Sequence, residues 1–268
     1  MIRWILSLVC VVLVFSYNLP AIAQEAETSI SEEQLEWGEK TAEKAIAAIE
    51  SGDFEKAEGY WTELIEKFPN NPAVWSNRGN TFVSENKLDE AISDFDRAIE
   101  LAPEAPDPYL NRGIALEGQG NYNEAIADYN RVLEIDPEDP IAYNNRGNAK
   151  AGQQRWEEAL EDYQEAAELA PEYAFARANT ALALYQTGRK EEALSTMRDL
   201  VRKYPNFPDM RAALTAVLWE KGKEGEAESN WVAVVGLDNR YSDVDWLKTT
   251  RRWPPKMVAA LEKFLELD

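Results

Sequence analysis

The chain has no histidine and a single cysteine, Cys10, among its 268 residues. Without histidine the Ser-His-Asp triad, the Cys-His pair and the commonest zinc ligand sets are excluded, which removes most hydrolase chemistry. Neither a glycine-rich phosphate loop nor a D-x-[DN]-x-[DN]-G calcium loop occurs. Basic residues are scarce: 28 Lys and Arg stand against 49 Asp and Glu, a formal charge of −21. Binding to phosphate needs cations that displace counterions, so nucleic acid and anionic lipid are poor partners for such a surface. The carboxylates are numerous enough for a glycosidase-type pair, but no spacing singles one out, and most read as solvated helix faces. The chain is therefore read as non-enzymatic, with no cofactor, no metal and no small-molecule substrate.

Long hydrophobic runs are also lacking, apart from Trp4 to Phe15. Arg3 precedes that run, and Pro20, Ala21 and Ala23 follow it, in the order of a secretory leader. Residues 1–23 are expected to be a signal peptide cleaved after Ala23, which takes the only cysteine with it and brings the charge to −22. The rival is an uncleaved membrane anchor, but a span needs about 20 apolar residues, and Tyr17, Asn18 and Pro20 interrupt this one. Residues 24–37 are polar and acidic and are expected to be a flexible lead-in, with order beginning near Leu35.

What fills the rest is a repeat of 34 residues without insertion or deletion, with units at 38–71, 72–105, 106–139, 140–173, 174–207 and 208–241. Counting each unit from 1, position 8 is small (Ala45, Gly79, Gly113, Gly147, Ala181, Thr215) and position 20 is always alanine (Ala57, Ala91, Ala125, Ala159, Ala193, Ala227). Position 24 is large: Trp61, Phe95, Tyr129, Tyr163, Met197 and Trp231. Position 32 is proline in the first five units, Pro69 to Pro205, and Asn239 in the last. Positions 4, 8 and 11, and again 20, 24 and 27, have helical spacing, so each unit predicts two short amphipathic helices, the second stopped by the proline. One such hairpin cannot bury its apolar face alone, and neighbours must stack.

This pattern resembles the tetratricopeptide repeat over residues 38–241. The resemblance implies an all-α, right-handed superhelical solenoid that acts as a protein-interaction module. Arg78, Arg112 and Arg146 at position 7 accompany Asp94, Asp128 and Asp162 at position 23, and units without the arginine lack the aspartate. These read as structural ion pairs, contributing about 1 kcal/mol or less if exposed.

Position 6 is Asn77, Asn111, Asn145 and Asn179 in four consecutive units. At about 100° per residue it points away from the packed face, with positions 2, 9 and 13 beside it. In tetratricopeptide proteins that face lines the concave groove, and the asparagines resemble the peptide-holding ladder of the O-GlcNAc transferase repeat domain. An amide both donates and accepts, which suits a peptide backbone. With helices about 9 Å apart, three steps span roughly 27 Å, the length of about eight extended residues. The candidate groove residues are Asn77, Asn111, Asn145 and Asn179, supplemented by Asn80, Asn144 and Asn148, with Tyr185 and Trp219 as further contributors. The rival reading has the asparagines bonding adjacent helices to each other. A basic clamp for terminal carboxylates, as in chaperone-tail-binding relatives, is not present.

Residues 242–268 leave the repeat and are expected to cap it, with Val258, Leu261 and Leu265 on one face of a helix opened by Pro254 and Pro255. Arg251, Arg252 and Trp253 form the one basic and aromatic cluster, a candidate partner contact. The "RRWPP" stretch and the layout also resemble the tetratricopeptide proteins of cyanobacteria and the chloroplast lumen. That resemblance implies export to a periplasm or thylakoid lumen and a protein partner in complex assembly. The alternative is an architectural scaffold that associates through its convex side or tail. A membrane contact is expected only if the leader is retained.

Overall fold

The computed structural model describes residues 31–266, and the expected leader lies outside the described residues. The chain divides into two compact units, residues 1–39 and 40–268. In the first, the described residues open helix α1 (Glu32–Glu50). Ser31 Oγ accepts the Gln34 amide at 3.2 Å, and Gln34 Oε1 accepts the Ser31 amide at 2.9 Å. This reciprocal cap starts the helix within the stretch expected to be a flexible lead-in, so that expectation is corrected from Glu32 onward.

The second unit continues with α2 (Phe54–Lys67), α3 (Pro72–Ser84), α4 (Leu88–Leu101), α5 (Pro106–Gly118) and α6 (Tyr122–Ile135). Then come α7 (Pro140–Gly152), α8 (Trp156–Leu169), α9 (Ala174–Gln186), α10 (Lys190–Lys203), α11 (Pro208–Glu220) and α12 (Glu224–Leu237). A 3₁₀ turn (Asn239–Ser242), α13 (Val244–Thr249) and α14 (Pro255–Leu265) follow, and no strand occurs among the described residues. From α2 to α12 every helix packs on the next in the chain, which makes the fold an α-solenoid. Prolines open α3, α5, α7 and α11, where the missing amide hydrogen costs nothing.

The small residue at position 8 has a measurable reason. A Cβ built on Gly79, Gly113 or Gly147 would lie 2.7, 2.6 or 2.7 Å from the ring of Phe95, Tyr129 or Tyr163 at position 24 of the same unit. The ring occupies the space a side chain would need, and Phe95 and Tyr129 are fully buried. Burial of each such side chain stabilises the hairpin by about 1.5–3 kcal/mol. The turn between the helices has its own rule at position 15, where the backbone is left-handed in every unit. Glycine meets it at Gly52, Gly120, Gly188 and Gly222, but Asn86 (φ 60°) and Gln154 (φ 64°) adopt it with a side chain.

All three Arg-Asp pairs form, and they are more buried than the sequence suggested. Arg112 Nε and Nη2 donate to Asp128 Oδ2 and Oδ1 at 2.8 and 2.6 Å, and Arg78 with Asp94 and Arg146 with Asp162 repeat the fork. Asp94, Asp128 and Asp162 are only 3%, 5% and 4% exposed. A third arm of each arginine reaches position 25 of the preceding unit: Thr62, Asp96 and Asn130 at 3.1, 2.6 and 2.8 Å. The guanidinium also lies over the aromatic ring at position 4, 5.2 to 5.7 Å from Trp75, Tyr109 and Tyr143. Each arginine thus ties two units together, and the expectation of about 1 kcal/mol for an exposed pair gives way to the larger cost of orphaning a buried carboxylate.

Candidate functional site

First helices of successive pairs touch (α3 with α5, α5 with α7, α9 with α11) more than second helices do, so the first helices form the inner, concave row. Asn77, Asn111, Asn145 and Asn179 are half-buried along it. Among the described residues, no protein group hydrogen-bonds the side chains of Asn77, Asn80 or Asn111. The row changes character further on. Asn179 donates to Asn144 Oδ1 at 3.0 Å and to Asn148 Oδ1 at 3.3 Å, and Asn144 donates to Asn145 Oδ1 at 3.3 Å. Tyr163 donates to Asn148 at 3.0 Å, and Asn144 is buried. The helix-bonding alternative therefore describes the α7–α9 end of the ladder, while the α3–α5 end keeps free amides.

Apolar side chains stand beside the asparagines. Ile114, Ile141 and Phe175 are 40%, 46% and 52% exposed, large exposures for such residues. They occupy positions 9, 2 and 2 of consecutive units, on the asparagine face, so the helical wheel that located the ladder also carried this signal.

The C-terminal segment folds onto this inner row. Helix α14 packs on α11 and α9. Phe264 sits edge-on between Trp219 and Trp231, with ring centroids at 5.5 Å from each. Val258 and Leu261 are buried as their shared face predicted, while Phe264 and Met257 are buried more fully than Leu265. Of the Arg251–Trp253 cluster, Arg251 and Trp253 are turned inward, while the Arg252 side chain stays 49% exposed. Arg251 Nε and Trp253 Nε1 both donate to Asp209 Oδ1, at 3.0 and 3.2 Å, and Trp253 is 4% exposed. Trp253 is thus a packing residue and its indole is not open to a partner, because the ring supplies apolar burial while its N–H finds an internal carboxylate. Arg252, held at φ 52°, reaches Glu117 Oε1 at 3.3 Å, 135 residues away. Lys256 donates from its amide and its ammonium to Gln186, at 2.9 and 2.7 Å.

Between this segment and helices α7 and α9 lies a cavity of about 810 Å³ whose walls include Asn148, Asn179, Phe175, Glu117 and Arg252. Burial pushes the Glu117 carboxyl above the ordinary glutamate range, against the opposing pull of Arg252 and a hydrogen bond from Tyr129. Burial likewise raises the Tyr129 phenol, with Glu117 adding to it. For Arg251 burial works against the charge, but Asp209 outweighs it and the net shift is upward. Sequence reasoning missed Glu117, Gln186 and Asp209, because their partners are 42 to 135 residues away and no local pattern announces them. Among the described residues no group of three or more carboxylates or thiols is placed to hold a metal, and no helix is long and apolar enough to cross a membrane.

A family profile described as "TPR repeat" matches residues 79–120 and 118–154, and two described as "Tetratricopeptide repeat" match residues 144–208 and 43–71. No curated protein sequence matches the chain. Among solved structures, a tetratricopeptide repeat protein from Parabacteroides merdae is 21% identical, with TM-score 0.66 over 86% of this chain and 93% of its own. YrrB, described as a TPR protein with an unusual peptide-binding site, is 22% identical, with TM-score 0.54 over 67% of this chain and 92% of its own. The APC/C hetero-tetramer Cut9-Hcn1 is 19% identical, with TM-score 0.66 over 75% of this chain and 40% of its own.

Proposed function

Because the chain belongs to the tetratricopeptide repeat family, whose members are in general non-enzymatic protein-interaction modules, we propose that it holds an extended protein segment in the concave row of α3, α5 and α7. The observation that carries this is the pairing of unengaged Asn77 and Asn111 amides with exposed Ile114 and Ile141 on the same face. The amides suit a main chain and the apolar groups suit alternate side chains of an extended segment. A peptide-binding site in YrrB, a protein of the same fold, agrees with this use of the architecture. The net charge of −21 favours a neutral or basic segment. We further propose that the chain works outside the cytoplasm, in a periplasm or thylakoid lumen, where it assists the assembly of a complex.

The test is capture from an extracytoplasmic extract by the immobilised chain, beside a variant with Asn77, Asn111 and Asn145 changed to alanine and matched in helicity and stability. Loss of a specific partner from the variant supports the groove. Equal capture by both refutes it in favour of an architectural scaffold.

A further inference from the structure

The second helices of the first five pairs carry a polar outer face. Positions 25, 26 and 29 read Thr62, Glu63, Glu66; Asp96, Arg97, Glu100; Asn130, Arg131, Glu134; Gln164, Glu165, Glu168; Arg198, Asp199, Arg202. In α12 they read Val232, Ala233 and Gly236. Val232 is 73% exposed, and Val235 and Leu237 are 43% exposed, on a helix that packs on α11 and the 3₁₀ turn and also meets Phe264 of α14 through Trp231 and Arg198 of α10 through Glu226. Position 25 is also where the next unit's arginine docks in earlier units, at Thr62, Asp96 and Asn130. Val232 therefore stands where the array would continue and does not.

Two glycines add a separate observation. Gly225 and Gly236 lie within α12, and a Cβ on either would meet nothing within 4 Å. The position-8 glycines make room for a ring, but these two have no partner among the described residues. A glycine inside a helix costs about 1 kcal/mol relative to alanine, and close approach of another backbone is a physical reason to keep one. Gly59 is also open on its outer side, but charged residues surround it and it marks no apolar face.

We propose that this face of α12 is a two-fold contact with a second copy of the chain. An antiparallel crossing centred at the level of Val234 sets Val232 of one copy against Gly236 of the other, large against small. The same operation brings Glu228 to the far end of the partner helix, where Arg240, 65% exposed, is held by Asp238. The face is thus complementary to itself in size and in charge, which an isologous contact requires. At −21 per chain two copies repel over most of their surface, so their contact belongs on a face with few carboxylates. The contact is separate from the groove of the first helices.

Sedimentation of the exported chain from micromolar to near-millimolar concentration tests it. The mass is expected to double across that range, Val232→Glu to remain monomeric with an unchanged helical spectrum, and Glu228→Arg to weaken association at least tenfold. Adding Arg240→Glu to Glu228→Arg is expected to restore it. A wild-type chain that stays monomeric throughout, a dimer that survives Val232→Glu, or a charge exchange that restores nothing overturns the proposal.

Discussion

Replacing Arg112 by threonine should cost far more than removing a surface ion pair. Asp128 is 5% exposed, and both its oxygens are held by the one guanidinium. Asp162 has a second cation, Lys150 at 2.6 Å, so the third unit is the cleaner place to measure. Orphaning a buried carboxylate costs about 3–5 kcal/mol, but the Arg112 side chain is 24% exposed, and water entering its place recovers part of that. The lost bond to Asp96, itself 51% exposed, adds only a few tenths of a kcal/mol. The expected cost is about 2–3 kcal/mol, which raises the local opening constant about 30- to 150-fold. The double replacement Arg112→Thr with Asp128→Thr copies the natural pair Thr180 and Thr196 of the fifth unit and should cost about 1 kcal/mol or less, since no charge is then stranded. Urea unfolding followed by far-ultraviolet circular dichroism gives the global values. Hydrogen exchange of α5 and α6 gives the local ones, which matter because repeat arrays open piecemeal. A single mutant within about 0.5 kcal/mol of wild type, or a double mutant costing the sum of the singles, would refute the reasoning.

Other outcomes follow from the same geometry. Gly113→Ala should destabilise by about 1–3 kcal/mol despite alanine's better helix propensity, because its Cβ would sit 2.6 Å from Tyr129; Gly59→Ala, with open space around it, should stabilise by about 0.5–1 kcal/mol in the same melts. Gln154→Gly should stabilise by about 1 kcal/mol, since it relieves a left-handed backbone at φ 64°. Glu117 has a raised pKa, so the native state holds its proton more tightly than the unfolded chain does. Stability should fall as pH rises from the ordinary value of 4.5 through the raised one, and Glu117→Gln should flatten that slope. At the acidic end of that window the neutral carboxyl no longer attracts Arg252, and amide exchange in residues 248–262 should quicken. Glu117→Gln should show the faster exchange at every pH.

The repeat was legible because its rules are local and written several times over: the small residue at position 8, the ring at 24 and the arginine with its aspartate each recur at fixed distance within one hairpin. The left-handed position 15 was harder to see, since Asn86 and Gln154 stand where glycine is the usual signal. The concave asparagines followed from helical angles alone. Their division did not, because whether an amide is free depends on what the adjacent helix offers, and α7 offers Asn144 and Asn148 to Asn179 of α9. The fold-back of the tail was least legible. Arg251 and Trp253 look like part of an exposed cluster until Asp209 comes within reach through the packing of the whole array, whereas Arg252 stays exposed and touches Glu117.

That fold-back gives the groove a direction. Among the described residues, α14 lies on α9 and α11 and Arg252 reaches back to Glu117 on α5, so the tail covers the concave row from its last repeats back toward the third. If the groove is used as proposed, a strand laid along α3, α5 and α7 meets this segment and must stop there or turn outward to solvent. In that proposed use, the arrangement favours a free chain end over the middle of a folded loop.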